Sequence, residues 1–276
     1  MSTRHEVRAP RATAEARPAP DASTRTRRAA LACAVAVFVV LWVGGVLSQW
    51  LGVTRADEGR LASLFLATAG LIVLLGDGTR LGALRLAAVA LSGFAVEAAG
   101  VRLGVPFGEY AYTGVLQPQL LGVPVVMGVA WMVLVAFASD FTARLRLPPW
   151  PAAACAALLT TATDLVIDPL AANRLGYWTW AHGGVYYGIP FTNFVGWFVT
   201  ALLACRVLGA RGRANVWAAF VGTAIVLFFA LNALANSLPH VALIGFGLCA
   251  ARLAPLALSS PSPTRPFDDT APDRPD

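Results

Sequence analysis

The chain has 276 residues, of which 57% are hydrophobic and 13% charged, and its formal net charge is +6. A soluble domain carries about twice that fraction of charged residues, and several apolar runs are long enough to cross a bilayer. The composition therefore excludes an ordinary soluble globular protein. All of the positive charge comes from arginine. In a membrane protein such charge sets orientation, so we do not interpret it as a nucleic-acid-binding surface.

We predict an all-α fold, a polytopic membrane helix bundle of about eight transmembrane helices, or seven if the last apolar run does not span. Residues 1–28 and 259–276 are polar or acidic and rich in proline, and both are predicted to be disordered cytoplasmic tails. The transmembrane domain is predicted over 29–258. Its candidate spans are 29–50, 61–76, 81–99, 119–139, 150–168, 190–209, 214–234 and 238–256. The second run is short for a bilayer and the last is the weakest.

The distribution of arginine predicts the orientation of the bundle. Seventeen arginines fall in the two tails and in alternate turns between spans, whereas Arg55, Arg60, Arg102 and Arg174 fall on the other side. The positive-inside rule then places both termini in the cytoplasm, with the chain spanning the cell membrane. The connectors 100–118 and 169–189 are accordingly predicted to lie on the outer side.

The third span carries a single acidic residue, Glu97, close to its outer end. Ionisable groups inside membrane spans are costly and are usually functional. The connector that follows holds Phe107, Tyr110 and Tyr112. The simpler alternative for Glu97 is an ion pair with Arg102, about one helical turn further on. Glu109, in the same connector, is expected to be solvated.

The fifth span contains two acids, Asp164 and Asp168, whose spacing of four places them on one face of a helix. Pro169 follows at once, so regular helix is predicted to end near Asp168. The next connector is rich in glycine and aromatic residues, among them Trp178, Trp180, Tyr186 and Tyr187. The alternative interpretation is structural, because aromatic residues gather at membrane interfaces and an acid at a helix end can meet water.

Two ten-residue segments open the fourth and sixth spans in the same way. GVPVVMGVAW (Gly122–Trp131) and GIPFTNFVGW (Gly188–Trp197) both begin with glycine, an apolar residue and proline, and both end in tryptophan. Each follows an acid near a helix end and an aromatic connector. We predict that spans three–four and five–six are two copies of a parallel repeat. Such a repeat would bring Glu97 and the two aspartates to matching depths beside a shared cavity.

With these motifs the chain resembles the membrane carotenoid hydratases of the bisanhydrobacterioruberin and gamma-carotene 1′,2′-hydratase type, over a motif core of about 97–197. The likeness rests on Glu97, PFGEYAY at 106–112, GVP at 122–124, Trp131, Asp164, DP at 168–169, WTW at 178–180, YYGIP at 186–190 and NFVGW at 193–197. It implies a carotenoid biosynthesis enzyme, a hydro-lyase that adds water across the terminal double bond of an acyclic carotenoid and gives a tertiary alcohol.

The roles of individual residues follow from the chemistry of hydration. A proton must reach the less substituted alkene carbon, and water must then capture a tertiary carbocation. A carboxylic acid in an apolar site can stay protonated near neutral pH and donate, while a second carboxylate or an amide positions the water. The predicted catalytic residues are Glu97, Asp164, Asp168 and Asn193. Aromatic faces stabilise a cation, and the predicted substrate-binding residues are Phe107, Tyr110, Tyr112, Trp131, Trp178, Trp180, Tyr186, Tyr187 and Trp197.

No metal site is predicted, because Cys33, Cys155, Cys205 and Cys249 each lie alone in a different apolar run. No other cofactor is predicted, because the sequence contains no nucleotide-binding loop. The predicted partners are a lipid-soluble carotenoid, the bilayer and other carotenoid biosynthesis enzymes, and no nucleic acid. Three alternatives remain at this point: another cofactor-free carotenoid end-group enzyme such as a cyclase or isomerase, a proton-coupled transporter, and a structural subunit that holds carotenoid enzymes together.

Overall fold

The computed structural model describes residues 22–145, 147–208 and 215–258, excluding the side chains of 208 and 253–258, and these ranges contain eight α-helices. The helices are α1 (Ala22–Trp50), α2 (Glu58–Asp77), α3 (Arg80–Leu103), α4 (Val126–Ala143), α5 (Pro149–Asn173), α6 (Phe191–Leu208), α7 (Val216–Ala235) and α8 (Pro239–Leu258). Four short strands lie in the connectors: β1 (Tyr110–Tyr112), β2 (Gln119–Leu120), β3 (Val123–Pro124) and β4 (Trp178–Trp180).

Local sequence signals set several helix ends. Gly78 and Gly104 end α2 and α3 with φ of 72° and 68°, a left-handed conformation that glycine adopts without a Cβ clash. The Thr79 side chain caps α3 by accepting from the backbone N–H of residue 82. Asn215 caps α7 in the same way, and such caps satisfy backbone donors that the first turn leaves free.

Helix α4 lies at the centre of the bundle and packs against α2, α3, α5, α6 and α7. Large side chains on α4 fit against glycines on its neighbours: Trp131 lies against Gly93 of α3, and Phe137 against Gly222 of α7. Helix α1 is peripheral and contacts mainly α2 and α7. The faces of α3, α5 and α6 that meet α4 are consequently removed from both water and lipid.

Within the described ranges, six helices, α1 to α5 and α7, are long and apolar enough to cross a membrane. The described apolar parts of α6 and α8, Phe191–Val207 and Pro239–Arg252, are shorter. The prediction of an all-α polytopic membrane bundle is confirmed, and the chain is a membrane protein.

Some predicted boundaries were wrong. Helix α1 begins at Ala22, so residues 22–28 are helical instead of belonging to a disordered tail; residues 1–21 and 259–276 lie outside the described part of the chain. Helix α4 begins at Val126 instead of residue 119, because β2 and β3 pair there as a hairpin. Leu121 and Gly122, between the two strands, have φ of 55° and 79°, as a tight hairpin turn requires.

The prediction that regular helix ends near Asp168 was also wrong, because α5 continues through Pro169 to Asn173. Proline has no N–H to donate to the carbonyl four residues earlier, and its ring crowds that carbonyl. Here the carbonyl belongs to Leu165, and the Tyr186 hydroxyl donates to it at 2.8 Å. A side chain from the next connector thus replaces the hydrogen bond that the proline removes.

The two aromatic connectors meet at one end of the bundle. Strands β1 and β4 pair antiparallel, with Tyr110 opposite Trp180 and Tyr112 opposite Trp178. Two arginines that the sequence assigns to the side away from the connectors contact the same acid. Asp140, near the end of α4, accepts from Arg252 at 2.9 Å and from Arg144 at 3.3 Å. Arg144 and Arg252 therefore lie together, as expected of two arginines assigned to the same side, while the orientation of the bundle stays a prediction.

Candidate active site

Glu97 lies near the end of α3 and accepts three hydrogen bonds. The Tyr110 and Tyr112 hydroxyls donate to its Oε2 at 2.5 and 2.7 Å, and the Trp131 indole N–H donates to its Oε1 at 2.8 Å. Its contacts are thus with two tyrosines and a tryptophan, not with Arg102. Glu97 is 3% exposed, and three donors aimed at its two oxygens match a carboxylate, which only accepts.

Both tyrosines lie outside the membrane-spanning segments, on strand β1. Burial, together with the nearby Glu97 carboxylate, raises the pKa of Tyr110 and of Tyr112 well above the ordinary value for a phenol. Both hydroxyls therefore keep their protons near neutral pH and remain donors to Glu97.

Asp164 and Asp168 share one amide. The two N–H bonds of Asn193 go to Asp164 Oδ2 and Asp168 Oδ2, each at 2.8 Å, and the Trp178 indole donates to Asp168 Oδ1 at 2.7 Å. All three polar side chains are at most 2% exposed. Asp164 Oδ1 is buried and has no hydrogen-bond partner within the described part of the chain.

The two helix–connector–helix units are built alike. Each has an acid on its first helix, a three-residue strand whose side chains contact that acid, and a second helix that begins just after a proline. Trp131 and Trp197, which end the two ten-residue motifs, stack with ring centroids 4.2 Å apart and an interplanar angle of 24°. The paired strands and the stacked tryptophans support the predicted repeat.

A small cavity of about 20 Å³ lies between the two units. Glu97 and Asp168 face it from the two halves, and Asn193 completes its polar lining. The remainder of the lining is aromatic or apolar: Phe107, Tyr110, Tyr112, Met127, Trp178, Trp180 and Trp197. A polar cavity of this volume has room for about one water molecule.

A larger depression of about 410 Å³ lies over the paired strands on the connector side. Tyr110 and Trp180 line both this depression and the small cavity, so they form the wall between them. Their ring centroids are 5.2 Å apart. Arg102 and Glu109 line the outer depression, and the exposed Glu109 faces His182 at 3.4 Å.

Most of the predicted site residues meet at this cavity, but four do not line it directly: Asp164, Trp131, Tyr186 and Tyr187. Trp131 lies behind Trp197 and holds Glu97. Tyr186 bonds to the helix backbone beside Pro169, and its ring packs edge-on against Tyr187 at 4.9 Å. The last two side chains therefore shape the end of α5 instead of lining the cavity.

Other features of the site were not anticipated. Met127 lines the cavity at the motif position that asparagine 193 occupies in the second copy, and the alignment of the two ten-residue segments could have identified it. The buried ion pair between Asp140 and Arg252 joins α4 to α8 across 112 positions of sequence, and no local signal marks it. The described residues contain no group of three or more His, Cys, Asp or Glu side chains placed to hold a metal ion.

This fold and site define a polytopic membrane protein with acidic side chains buried behind aromatic connectors. The family model described as carotenoid biosynthesis protein matches residues 59–256, well over half of the sequence. The chain belongs to that family.

The chain is also similar to a protein named bisanhydrobacterioruberin hydratase from Haloarcula japonica, with 35% identity over 127 residues. The match covers 44% of this chain and 42% of that protein, so less than half of the relative's length is represented. No solved structure matches the chain.

Proposed function

We propose that this protein adds water across the terminal double bond of an acyclic carotenoid end group by acid catalysis. The observation that carries this proposal is the meeting of Glu97 and Asp168, from the two halves of the repeat, at one water-sized cavity with an aromatic lining. Family membership supports a carotenoid as substrate. The name of the Haloarcula relative supports hydration as the reaction.

The aspartate pair is the proposed source of the proton. Two buried carboxyl groups that share a single amide hold one proton more readily than two negative charges. No arginine contacts either aspartate among the described ion pairs, so a second negative charge would lack a compensating partner. Asp168 lines the cavity and Asp164 does not, so Asp168 delivers the proton and Asp164, through Asn193, fixes its position.

Glu97 is the proposed acceptor on the opposite side of the cavity. Its carboxyl group accepts from three donors, which fix its orientation and favour its charged form. A water molecule in the cavity can donate to Glu97, and it can accept from the buried Trp180 indole N–H, which lies near Asp168 but makes no hydrogen bond of good geometry in the described chain. Water with two or more polar partners is held firmly.

The reaction then balances in two steps. The Asp168 carboxyl proton moves to the less substituted alkene carbon, the π bond breaks, and a tertiary carbocation forms between the aromatic faces of Trp180 and Trp197. The water oxygen bonds to the cation while its proton passes to Glu97. Asp168 is now a carboxylate and Glu97 is protonated, so release of the Glu97 proton to solvent and uptake of one proton by Asp168 restore the starting state.

The substrate's end group needs more room than the cavity offers, since about 20 Å³ fits a single water molecule. Tyr110 and Trp180 separate the cavity from the polar depression on the connector side. Entry of the end group therefore requires these connectors to move, and water arrives from the same side. We place this end on the outer face of the cell membrane, with both termini cytoplasmic, because the arginines gather at the opposite end.

Expression in a host that makes acyclic carotenoids tests this function. Pigments from cells with and without the chain are compared by chromatography and mass spectrometry, and a product heavier than its precursor by one water is expected. Asp164→Asn, Asp168→Asn and Glu97→Gln preserve side-chain size but remove an acid, and at least two of them should abolish the product at wild-type protein levels. A new cyclic carotenoid of unchanged mass would favour a cyclase, and full activity of all three variants would exclude acid catalysis by these residues.

A further inference from the structure

We propose that a second cavity, enclosed mainly by α1, α2 and α7, binds an acyclic isoprenoid alcohol whose hydroxyl donates a hydrogen bond to Asn232. This cavity measures about 290 Å³, many times the volume of the one between the acids, and contains none of the proposed catalytic residues. A volume near 300 Å³ is the lower end of the range for small-molecule sites.

Glycine and aromatic residues create the apolar part of this second cavity. On α1, a Cβ at Gly45 would lie 2.7 Å from the Phe228 ring of α7, whereas a Cβ at Gly44 would meet nothing within 4 Å. Phe65 of α2 and Phe228 line the same space, with ring centroids 5.3 Å apart. The absence of a side chain at Gly45 therefore lets Phe228 pack against α1, and the open space beside Gly44 leaves room for an apolar chain.

Asn232 supplies the polar recognition group. It lies in the last turn of α7, lines the cavity and is only 1% exposed, and its Oδ1 has no hydrogen-bond partner in the described chain. A buried acceptor without a donor costs about 1–3 kcal/mol. Gln49, the neighbouring amide in the lining, is already bonded to Glu58 and Asn236. The unused acceptor therefore calls for a ligand that donates a hydrogen bond.

An alcohol with a hydrocarbon chain satisfies both parts of the cavity. A hydroxyl donates one hydrogen bond and accepts others, whereas a pure hydrocarbon would leave Asn232 unpaired. The chain belongs to a carotenoid biosynthesis family, which favours an isoprenoid over an acyl chain. Val40, 70% exposed on α1, lies at the edge of the cavity, so a lipid can enter from the bilayer.

The second cavity is also close to the acids. Tyr177 lines it and packs against Trp178 at a centroid distance of 6.3 Å, and Trp178 donates to Asp168. A bound isoprenoid alcohol would thus lie one aromatic layer away from the aspartate pair. Binding there does not depend on hydration, so the two proposals can fail separately.

Binding is tested on the purified full-length protein in lipid nanodiscs. Farnesol, an acyclic isoprenoid alcohol, is titrated against thermal unfolding, and its methyl ether serves as the matched ligand without a donor. We expect farnesol to raise the unfolding temperature and the ether to bind about tenfold more weakly, since one hydrogen bond of this kind contributes about 1.4 kcal/mol.

Variants separate binding from folding. Asn232→Leu replaces the amide with an apolar side chain of similar size and should leave the unliganded unfolding temperature unchanged or higher, because an unsatisfied acceptor is removed. Its affinity for farnesol should fall about tenfold to match that of the ether. Gly44→Leu should abolish binding by filling the cavity, whereas Gly247→Leu, at an equally open glycine on α8, should not.

Four results would overturn this assignment. Equal shifts with farnesol and its ether would exclude hydrogen bonding to Asn232. A shift with dioleoylglycerol larger than that with farnesol would show that the ligand is an acyl lipid instead of an isoprenoid. Unchanged binding in Gly44→Leu would place the ligand elsewhere, and so would the absence of any shift in the wild-type protein.

Discussion

Removal of the Asn193 amide is the sharpest perturbation of the proposed acid pair. Asn193→Leu preserves the approximate size of the side chain but deletes both N–H donors, which reach Asp164 and Asp168 at 2.8 Å. Asp168 would retain only the bond from Trp178, and Asp164 would retain no hydrogen bond among those described. The two carboxyl groups would then be free to separate or to change their protonation.

The expected loss in reaction rate can be estimated from these two hydrogen bonds. A hydrogen bond to a charged group contributes about 1.5–3 kcal/mol, so the two bonds together contribute about 3–6 kcal/mol. If that stabilisation is lost in the transition state, the rate falls by about 10²-fold to 10⁴-fold. The two acceptors left buried without this donor cost about 1–3 kcal/mol each in stability, so the amount of folded protein is measured for each variant.

The assay measures hydrated product formed by membranes that contain equal amounts of each variant. Asn173→Leu is the matched control, because this exposed asparagine of the same helix–connector unit donates to the Tyr187 backbone carbonyl and not to an acid. It should retain activity. A wild-type rate in Asn193→Leu would refute the proposed role of the amide, and loss of the folded protein itself would indicate a structural role.

Further predictions concern orientation, opening and helix integrity. In a background without native cysteines, Val185→Cys, which is fully exposed on the connector side, should react with an impermeant thiol reagent outside the cell, and Leu147→Cys at the arginine-rich end should not. A disulfide between cysteines at Ala111 and Thr179, which face each other across β1 and β4, should stop hydration by locking the connectors, and reduction should restore it. Tyr186→Phe removes the donor to the carbonyl freed by Pro169 and should lower stability by about 1–3 kcal/mol, measured as a lower unfolding temperature.

Each of these predictions has a contradicting outcome. The opposite labelling pattern would place the connectors in the cytoplasm. Full activity of the oxidised double-cysteine protein, with cross-linking verified by mass spectrometry and each single-cysteine protein as control, would mean that the end group enters without separation of the strands. An unchanged unfolding temperature for Tyr186→Phe would mean that another group, such as water, satisfies the carbonyl.

The sequence identified the polar and aromatic residues that meet at the cavity more completely than it identified their contacts. Glu97, Asp164 and Asp168 were identifiable because an acid in an apolar run is costly wherever it lies. Asn193 and the two motif tryptophans were identifiable from the likeness of two ten-residue segments. Both signals can be recognised in a single sequence without structural information.

Contacts between residues far apart in the chain could not be predicted from the sequence. Pro169 normally ends a helix, and only the distant Tyr186 hydroxyl allows α5 to continue. Pairing of β1 with β4 depends on how two helix pairs pack, and three-residue strands have no periodicity to identify them. The same is true of the unpaired amide of Asn232, whose importance depends on what surrounds it.

The source of the new hydroxyl oxygen is the most direct test of the proposed reaction. Membranes containing the protein would receive an acyclic carotenoid in oxygen-18 water, without molecular oxygen and with a metal chelator. If water captures a carbocation, the product should be heavier than the substrate by one labelled water, with the label on the tertiary terminal carbon. An unlabelled hydroxyl, or a strict requirement for oxygen gas, would contradict hydration by the acids around the Glu97–Asp168 cavity.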